Sequence, residues 1–482
     1  MNYRSTRSDR HCATSAAAVL RGLAPDGGLF VASLHPFDWQ RVLELDTYGM
    51  AETILSYLLP DVQTMPELVE KAYRGKFETD ELTPLVSVGD RYVLELFRGP
   101  TSAFKDVALS MLPQLITQSK AQEGVADEIL ILTATSGDTG KAALAGFHDV
   151  PGTKIIVFYP DEGVSAVQKA QMVTQEGENV CVCAVRGNFD DTQTGVKAIF
   201  AAGVPEDCGT RLSSANSINI GRLAPQVVYY FKAYADLCRN GRISVGDLVD
   251  FVVPTGNFGD ILAGYYAKKL GLPVGTLVCA SNRNDVLTDF LRTGCYDRRR
   301  SFHKTISPSM DILVSSNLER LLYLLCENHE EVAGYMQRLN TDGVYTISAD
   351  ILAKLKAEFA CGCCDDEQTK ATIGEVWQKH GYLMDTHTAV AWKVADELET
   401  AHPVVVLSTA SAYKFPAAVL SALGEAVSED EFEVMRRLHA LTGVPIPPAL
   451  TQLQNKPILH TDVIDREQMQ DYVYGRIAQW RK

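Results

Sequence analysis

The stretch Glu128-Ile129-Leu130-Ile131-Leu132-Thr133, with the helical run 141–148 behind it, opens a series that continues through 154–159, 164–175 and 180–185. Each apolar run is short and continuous rather than alternating, which suits strands covered on both faces, and helical stretches intervene between them. Strands that alternate with helices pair in parallel through right-handed crossovers. The chain reads as α/β. Working outward, 92–96 precedes this series, the long amphipathic helix 223–240 follows it, and the alternation resumes at 248–253, 261–270 and 274–280. A last apolar strand at 403–407 leads into 415–423. Two doubly wound, mostly parallel sheets account for this order.

Four regions are expected. Residues 1–90 form an N-terminal cap, with helices over 13–23 and 50–59 and a turn at Pro25-Asp26-Gly27-Gly28. A first α/β domain spans 91–240. A larger one spans 241–425, with a more charged helical insertion over about 282–380 that includes helices at 318–328 and 349–360. Residues 426–482 read as a helical appendage with a Pro-rich joint at 445–448.

Composition narrows the function. With 46% apolar and 22% charged residues the 482-residue chain is globular rather than disordered. It carries 45 Lys+Arg against 60 Asp+Glu, net −15, so a nucleic-acid surface is repelled unless a basic stripe intervenes. The one basic run, Arg298-Arg299-Arg300, sits beside Asp297 without an aromatic ladder and reads as a solvated loop. No run approaches the roughly 18 apolar residues of a membrane span. The start, with Arg4, Arg7, Asp9 and Arg10, lacks a signal-peptide pattern, so a cytoplasmic protein is expected. Eleven scattered cysteines read as free thiols. Cys361, Cys363 and Cys364 lack a second Cys/His pair at zinc-like spacing, so no metal site is expected.

Ligands of parallel sheets sit beyond the carboxyl ends of strands, so strand-to-helix turns are where chemistry is sought. Three stand out. Pro254-Thr255-Gly256-Asn257-Phe258-Gly259-Asp260 combines two glycines with a helix start, a cradle for phosphate, although from spacing alone a plain glycine turn fits equally. It matches neither dinucleotide nor nucleoside-triphosphate patterns. Thr135-Ser136-Gly137-Asp138-Thr139-Gly140 packs hydroxyls and N–H groups densely enough for a carboxylate or phosphate; a turn capped by Ser136 or Asp138 is the alternative. Arg98-Gly99-Pro100-Thr101-Ser102-Ala103-Phe104-Lys105-Asp106 places a lysine among apolar neighbours, where desolvation lowers its pKa and makes it an amine nucleophile. An amine for a Schiff base, a phosphate cup and an anion loop together point to pyridoxal phosphate (PLP) and an amino-acid substrate.

The same residues carry a resemblance. Phe97-Arg98-Gly99-Pro100-Thr101 with Phe104-Lys105-Asp106, the run 133–140, the run 214–219 with Arg222, and the run 254–260 are similar to the threonine synthases, in the longer form of fungi and many bacteria, among fold-type-II PLP enzymes. The similarity starts at Met1-Asn2-Tyr3-Arg4 and reaches Lys414-Phe415. It implies that PLP lies in the cleft between the sheets, held by Lys105 as a Schiff base. Asp106 lies near the cofactor's phenolic oxygen, Gly256, Asn257, Phe258 and Gly259 hold its phosphate, and Thr409 meets the pyridine nitrogen. Ser136, Gly137, Asp138 and Thr139 then bind the substrate carboxylate, and Asn216, Ser217 and Arg222 its phosphate. The implied reaction converts O-phospho-L-homoserine and water to L-threonine and phosphate, the last step of threonine biosynthesis, by γ-elimination and β-addition in a monomer or weak homodimer.

One stretch departs from the family. Where its members show Thr-Ala-His-Pro-Ala-Lys-Phe, this chain has Thr409-Ala410-Ser411-Ala412-Tyr413-Lys414-Phe415. In Asp385-Thr386-His387-Thr388, a helix cap at Asp385 or Thr386 and a structural His387 are expected. Two rival readings share much of the pattern. A fold-type-II lyase such as a threonine/serine dehydratase or amino-acid phospholyase would keep Lys105 and the phosphate cup; a non-catalytic PLP-binding relative would have no need of Lys105.

Overall fold

The computed structural model describes residues 2–135, 137–162 and 164–481. Two parallel sheets dominate. The first has five strands in the order Asp462–Ile464, Val180–Val185, Thr153–Pro160, Glu128–Ala134 and Thr210–Ser213, all parallel. Successive residues feed opposite faces. Ile129, Ile131, Ile155 and Val157 pack with Leu109, Leu112 and Leu144, whereas Leu130, Leu132, Ile156 and Phe158 pack with Val196, Ile199, Met469 and Val473. Burial on both faces explains the unbroken apolar runs.

The second sheet has six strands, Phe359–Cys363, Val274–Ser281, Val249–Pro254, Val404–Ser408, Arg91–Glu95 and Leu85–Val88, of which only the last pair is antiparallel. Val252, Val278 and Val406 face the helix Thr386–Asp396 side, and Phe251, Leu277 and Val405 face the larger core. The doubly wound α/β architecture is therefore present in both sheets.

Three placements differ from the sequence reading. The strand Arg91–Glu95, expected to open the first α/β domain, pairs with Val404–Ser408 in the other sheet. Pairing partners lie more than 300 residues away in sequence, which no local pattern encodes. The segment read as a helical insertion also supplies the edge strand Phe359–Cys363. The tail supplies Asp462–Ile464 and the helix Met469–Trp480, which covers one face of the five-stranded sheet. The N-terminal cap adds a three-stranded antiparallel sheet, Cys12–Ala13, Tyr3–Ser5 and Phe30–Ala32, to its helices Ser15–Arg21 and Thr47–Leu58. Among the described residues no helix is long and apolar enough to cross a membrane.

Candidate active site

Lys105 opens the helix Lys105–Gln122, and its turn is strained: Ser102 adopts a left-handed φ of 59° and its buried hydroxyl has no partner among the described residues. The turn is stitched to the six-stranded sheet where Phe104 N–H donates to Thr409 O at 2.8 Å and Ser411 N–H to Ser102 O at 3.1 Å. The Lys105 side chain is half-buried, with Nζ 5.7 Å from the centre of the Phe104 ring. Burial lowers its pKa, Asp138 opposes this, and Arg222 and Lys414 add to the lowering. Those three side chains therefore lie close enough to act on its charge.

Asp106 turns its carboxylate onto its own turn. Its carboxylate accepts from Thr101 N–H at 2.8 Å and Thr101 Oγ1 at 2.5 Å, closing the turn, and it lies where a Cβ on Gly99 would stand, 2.5 Å from its own Cβ. Burial raises its pKa to about 6 against those hydrogen bonds.

The turn 254–260, expected to cradle a phosphate, leads directly into a helix. The helix Gly259–Lys269 begins after Phe258, whose φ of 61° is unusual for a residue with a side chain, and no side chain caps it. Its first N–H groups and dipole are thus left for an anion. Only the Phe258 backbone can serve, because its ring is buried against Phe359 at 5.7 Å. Gly256 is needed for space: a Cβ there would come within 2.7 Å of Ser309 O. Asn257 is exposed, while Thr409 is buried. The following Asp260 accepts at Oδ1 from Tyr229 at 2.5 Å and Tyr230 at 3.1 Å, its Oδ2 has no partner among the described residues, and burial pushes its pKa to about 7.

The second anion loop also precedes a helix, Asp138–Phe147, with Gly137, which has no side chain to cap it, rather than Ser136 or Asp138 at the cap position. Ser136 itself lies outside the described residues. Thr135 Oγ1 takes the N–H of Gly137 at 3.1 Å and Gly140 at 3.0 Å. The Asp138 carboxylate is occupied by Lys414 at 2.9 Å and Gln168 at 3.2 Å, so at this loop a ligand would meet the backbone and the partly exposed Thr139 instead. Lys141, next along, is not a solvent-facing lysine; it donates to Gln175 at 2.5 Å and burial lowers its pKa to about 7.

Arg222 is buried in the helix Ile220–Arg239, where Nη1 donates to Ala215 O and Nε has no partner among the described residues. A buried guanidinium with spare donors is poised for an anion. Asn216 is exposed and Ser217 half-buried, in the loop just before. His387 is structural in the sense expected: Nδ1 meets Asp385 at 2.8 Å, Nε2 accepts from Ser309 N–H at 3.1 Å, and Asp385 caps its helix. Missing from the sequence reading were Asn317 and Arg320, whose contacts join distant loops.

Three family models match the chain: "Pyridoxal-phosphate dependent enzyme" over 81–349, "Threonine synthase N terminus" over 2–73 and "Threonine synthase, C-terminal" over 388–473. A threonine synthase of Pseudomonas aeruginosa is 40% identical, the match covering 88% of this chain and 91% of that one. The chain belongs to the threonine synthase family. Another member of that family group, the human threonine synthase-like 1, is also 40% identical across 84% of this chain, but this chain spans only 57% of its length. The threonine synthase fold is matched throughout: the crystal structure of the PLP-bound Brucella melitensis threonine synthase has a TM-score of 0.89 at 38% identity, with 99% of both chains covered. Membership makes PLP the cofactor. The residues fit that group, since Lys105 is a half-buried amine of lowered pKa and the helix at Gly259 offers uncapped N–H donors.

Proposed function

We propose that this chain converts O-phospho-L-homoserine and water to L-threonine and phosphate. The observation that carries the reading is Arg222, a buried guanidinium with an unfilled donor close enough to Lys105 to act on its charge, because an unphosphorylated amino acid whose carboxylate sits on the loop 137–139 would bring it no second anion. A phosphate monoester carries about −1.5 to −2 charges at neutral pH and needs such a partner in an acidic protein. Bound PLP supplies the electron sink that makes the substrate Cα–H acidic.

The residues divide the work. Lys105, kept neutral more easily by burial, would take the Cα proton, pass it to the cofactor carbon that bears the substrate nitrogen, and only then, neutral again, take a proton from Cβ. Arg222, with Asn216 and Ser217, holds the substrate phosphate until it leaves from Cγ. Asp138 and Thr139 offer backbone N–H groups to the substrate carboxylate, and Gly137, whose N–H Thr135 Oγ1 already takes, shapes the loop around it. Asn257, Phe258 and Gly259 would hold the cofactor phosphate, and Thr409 would offer the pyridine nitrogen a neutral hydroxyl, which leaves the ring a weaker electron sink and gives substrate orientation more say in the outcome. Water adds at Cβ. We further propose a fold-type-II arrangement with PLP in the cleft between the sheets, a cytoplasmic location, and a monomer or weak homodimer. The division into a cap over 1–90, two α/β domains and a tail from 426 belongs to the same proposal, with strand Arg91–Glu95 assigned to the larger domain.

Incubating purified protein with O-phospho-L-homoserine tests the reading. Threonine and inorganic phosphate in equal amounts are expected. Release of 2-oxobutyrate alone would reject it in favour of a dehydratase or phospholyase.

A further inference from the structure

Asn317 and Arg320 are fully buried at the start of the helix Leu318–Cys326, in the segment whose role the sequence left blank. Their contacts go to two loops that are far apart in sequence. On the cofactor side, Asn317 N–H donates to Asn257 O at 3.1 Å, and the neighbouring Ser315 hydroxyl to Gly256 O at 2.8 Å. On the substrate side, Asn317 Nδ2 donates to Ser217 O at 3.1 Å and Arg320 Nη2 to Ile218 O at 2.5 Å. Arg320 Nη1 braces Asn317 Oδ1 at 2.5 Å, and Nε reaches Phe30 O of the N-terminal cap at 2.9 Å.

All these hydrogen-bond partners of Arg320 are neutral, and the nearby Glu319 carboxylate, which acts on its charge, is already paired with Arg7. Burying a guanidinium against carbonyls alone is costly compared with an apolar side chain of similar size, so packing by itself does not account for it. The peptide plane supplies a reason. In a trans peptide the N–H of the next residue points opposite to the carbonyl, so drawing the Gly256, Asn257 and Ser217 carbonyls toward 315–320 turns the Asn257, Phe258 and Ile218 N–H groups the other way. Among the described residues none of these three N–H groups has an acceptor. They are left as donors for anions.

We propose that Asn317 and Arg320 are positioning residues that lock the loop 216–219 to the loop 256–259 and so fix the spacing between the substrate phosphate and the cofactor phosphate. This rests on the assignment of those loops under Proposed function. The guanidinium is used for its fork, which spans three carbonyl-type acceptors that an ammonium cannot reach together.

The test uses the holoenzyme with N317A and R320K, the latter keeping the charge but not the fork. For each, kcat and KM are measured with O-phospho-L-homoserine, and inorganic phosphate is titrated against the visible absorbance of the bound cofactor. Loss of one positioning hydrogen bond should raise both KM and the phosphate Kd about tenfold while kcat changes much less. A merely structural role would lower the melting temperature and leave both constants in place, and that result in N317A, or a wild type that binds no phosphate, would overturn the proposal. Should R320K fail to fold, N317A decides alone. Phosphate titration needs no turnover, so a wild type that binds phosphate but makes no threonine would sink the assigned reaction and not the positioning role.

Discussion

Lys414 Nζ lies 2.9 Å from Asp138 Oδ1, and both side chains are buried. The pair joins the turn after the strand Val404–Ser408 to the anion loop of the five-stranded sheet, and Lys414 also donates to Gln171 Oε1 at 2.5 Å and Thr101 O at 3.2 Å. One ammonium thus ties together the lysine turn, the carboxylate loop and the helix Ala166–Val173. The departure Ser411-Ala412-Tyr413 leaves this contact intact.

Breaking that pair should destabilise strongly. Burial alone would raise the Asp138 pKa, but Lys414 and Lys105 override it and hold the carboxyl well below its usual value of 3.8. Lys414→Met strands a buried carboxylate and should cost about 3–5 kcal/mol in denaturant unfolding near neutral pH. Because the folded pKa is depressed, the stabilisation is full above 3.8 and fades as pH falls below it, so the gap between wild type and K414M should close in acid. Adding Asp138→Asn should recover part of the loss; no recovery would show that the two residues act independently.

Lys105→Ala should abolish the visible absorbance of the bound cofactor and reduce threonine formation to background, while the melting profile stays cooperative. Retained turnover would remove Lys105 from the reaction.

Arg222→Lys keeps a charge but loses the planar fork. A charge-assisted hydrogen bond contributes about 1.5–3 kcal/mol, so kcat/KM for O-phospho-L-homoserine should fall roughly 10- to 100-fold. PLP affinity should be unchanged, since the proposed assignment puts the cofactor phosphate on the other loop. Equal loss in both would mean that Arg222 serves the cofactor instead.

Asp260 predicts a pH effect on cofactor binding. Burial raises its pKa to about 7 although Tyr229 and Tyr230 pull it down. Neutral below that pH, it leaves the phosphate cradle next to it free of negative charge; ionised above it, it repels the phosphate. The ratio of wild-type to Asp260→Asn affinity for PLP, measured on the apoenzyme, should therefore fall as pH rises through about 7, and a flat ratio would show that the carboxyl does not titrate there. The raised pKa has the opposite stability sign from Asp138: its burial penalty grows as pH rises from 3.8 toward 7.

The three turns proposed to hold ligands were legible as strand-to-helix turns because their signals are local. Gly256 and Gly259 around a helix start, the hydroxyl-rich loop at Thr135 to Gly140, and Lys105 between Phe104 and an apolar helix can each be read within a few residues. Asp106 was legible as a neighbour of the site but not in its contacts, because its closure onto Thr101 depends on how tightly the turn packs at Gly99. Lys414 had only a family motif to mark it. Asn317 and Arg320 had no signal, since each looks like an ordinary polar residue at a helix start.

From the order of residues alone came the alternation of buried strands and helices, the strand-to-helix turns proposed to hold anions, and a lysine in apolar surroundings; these follow from side-chain periodicity and backbone freedom over a few positions. Folding in three dimensions decided that Arg91–Glu95 joins the six-stranded sheet, that Arg222 is buried, and that Asn317, Arg320 and Lys414 hold the loops in register. Those outcomes depend on which surfaces meet across 100 residues or more, where the free energy lies in desolvation and in hydrogen bonds to backbone carbonyls, and neither is written in the neighbouring sequence.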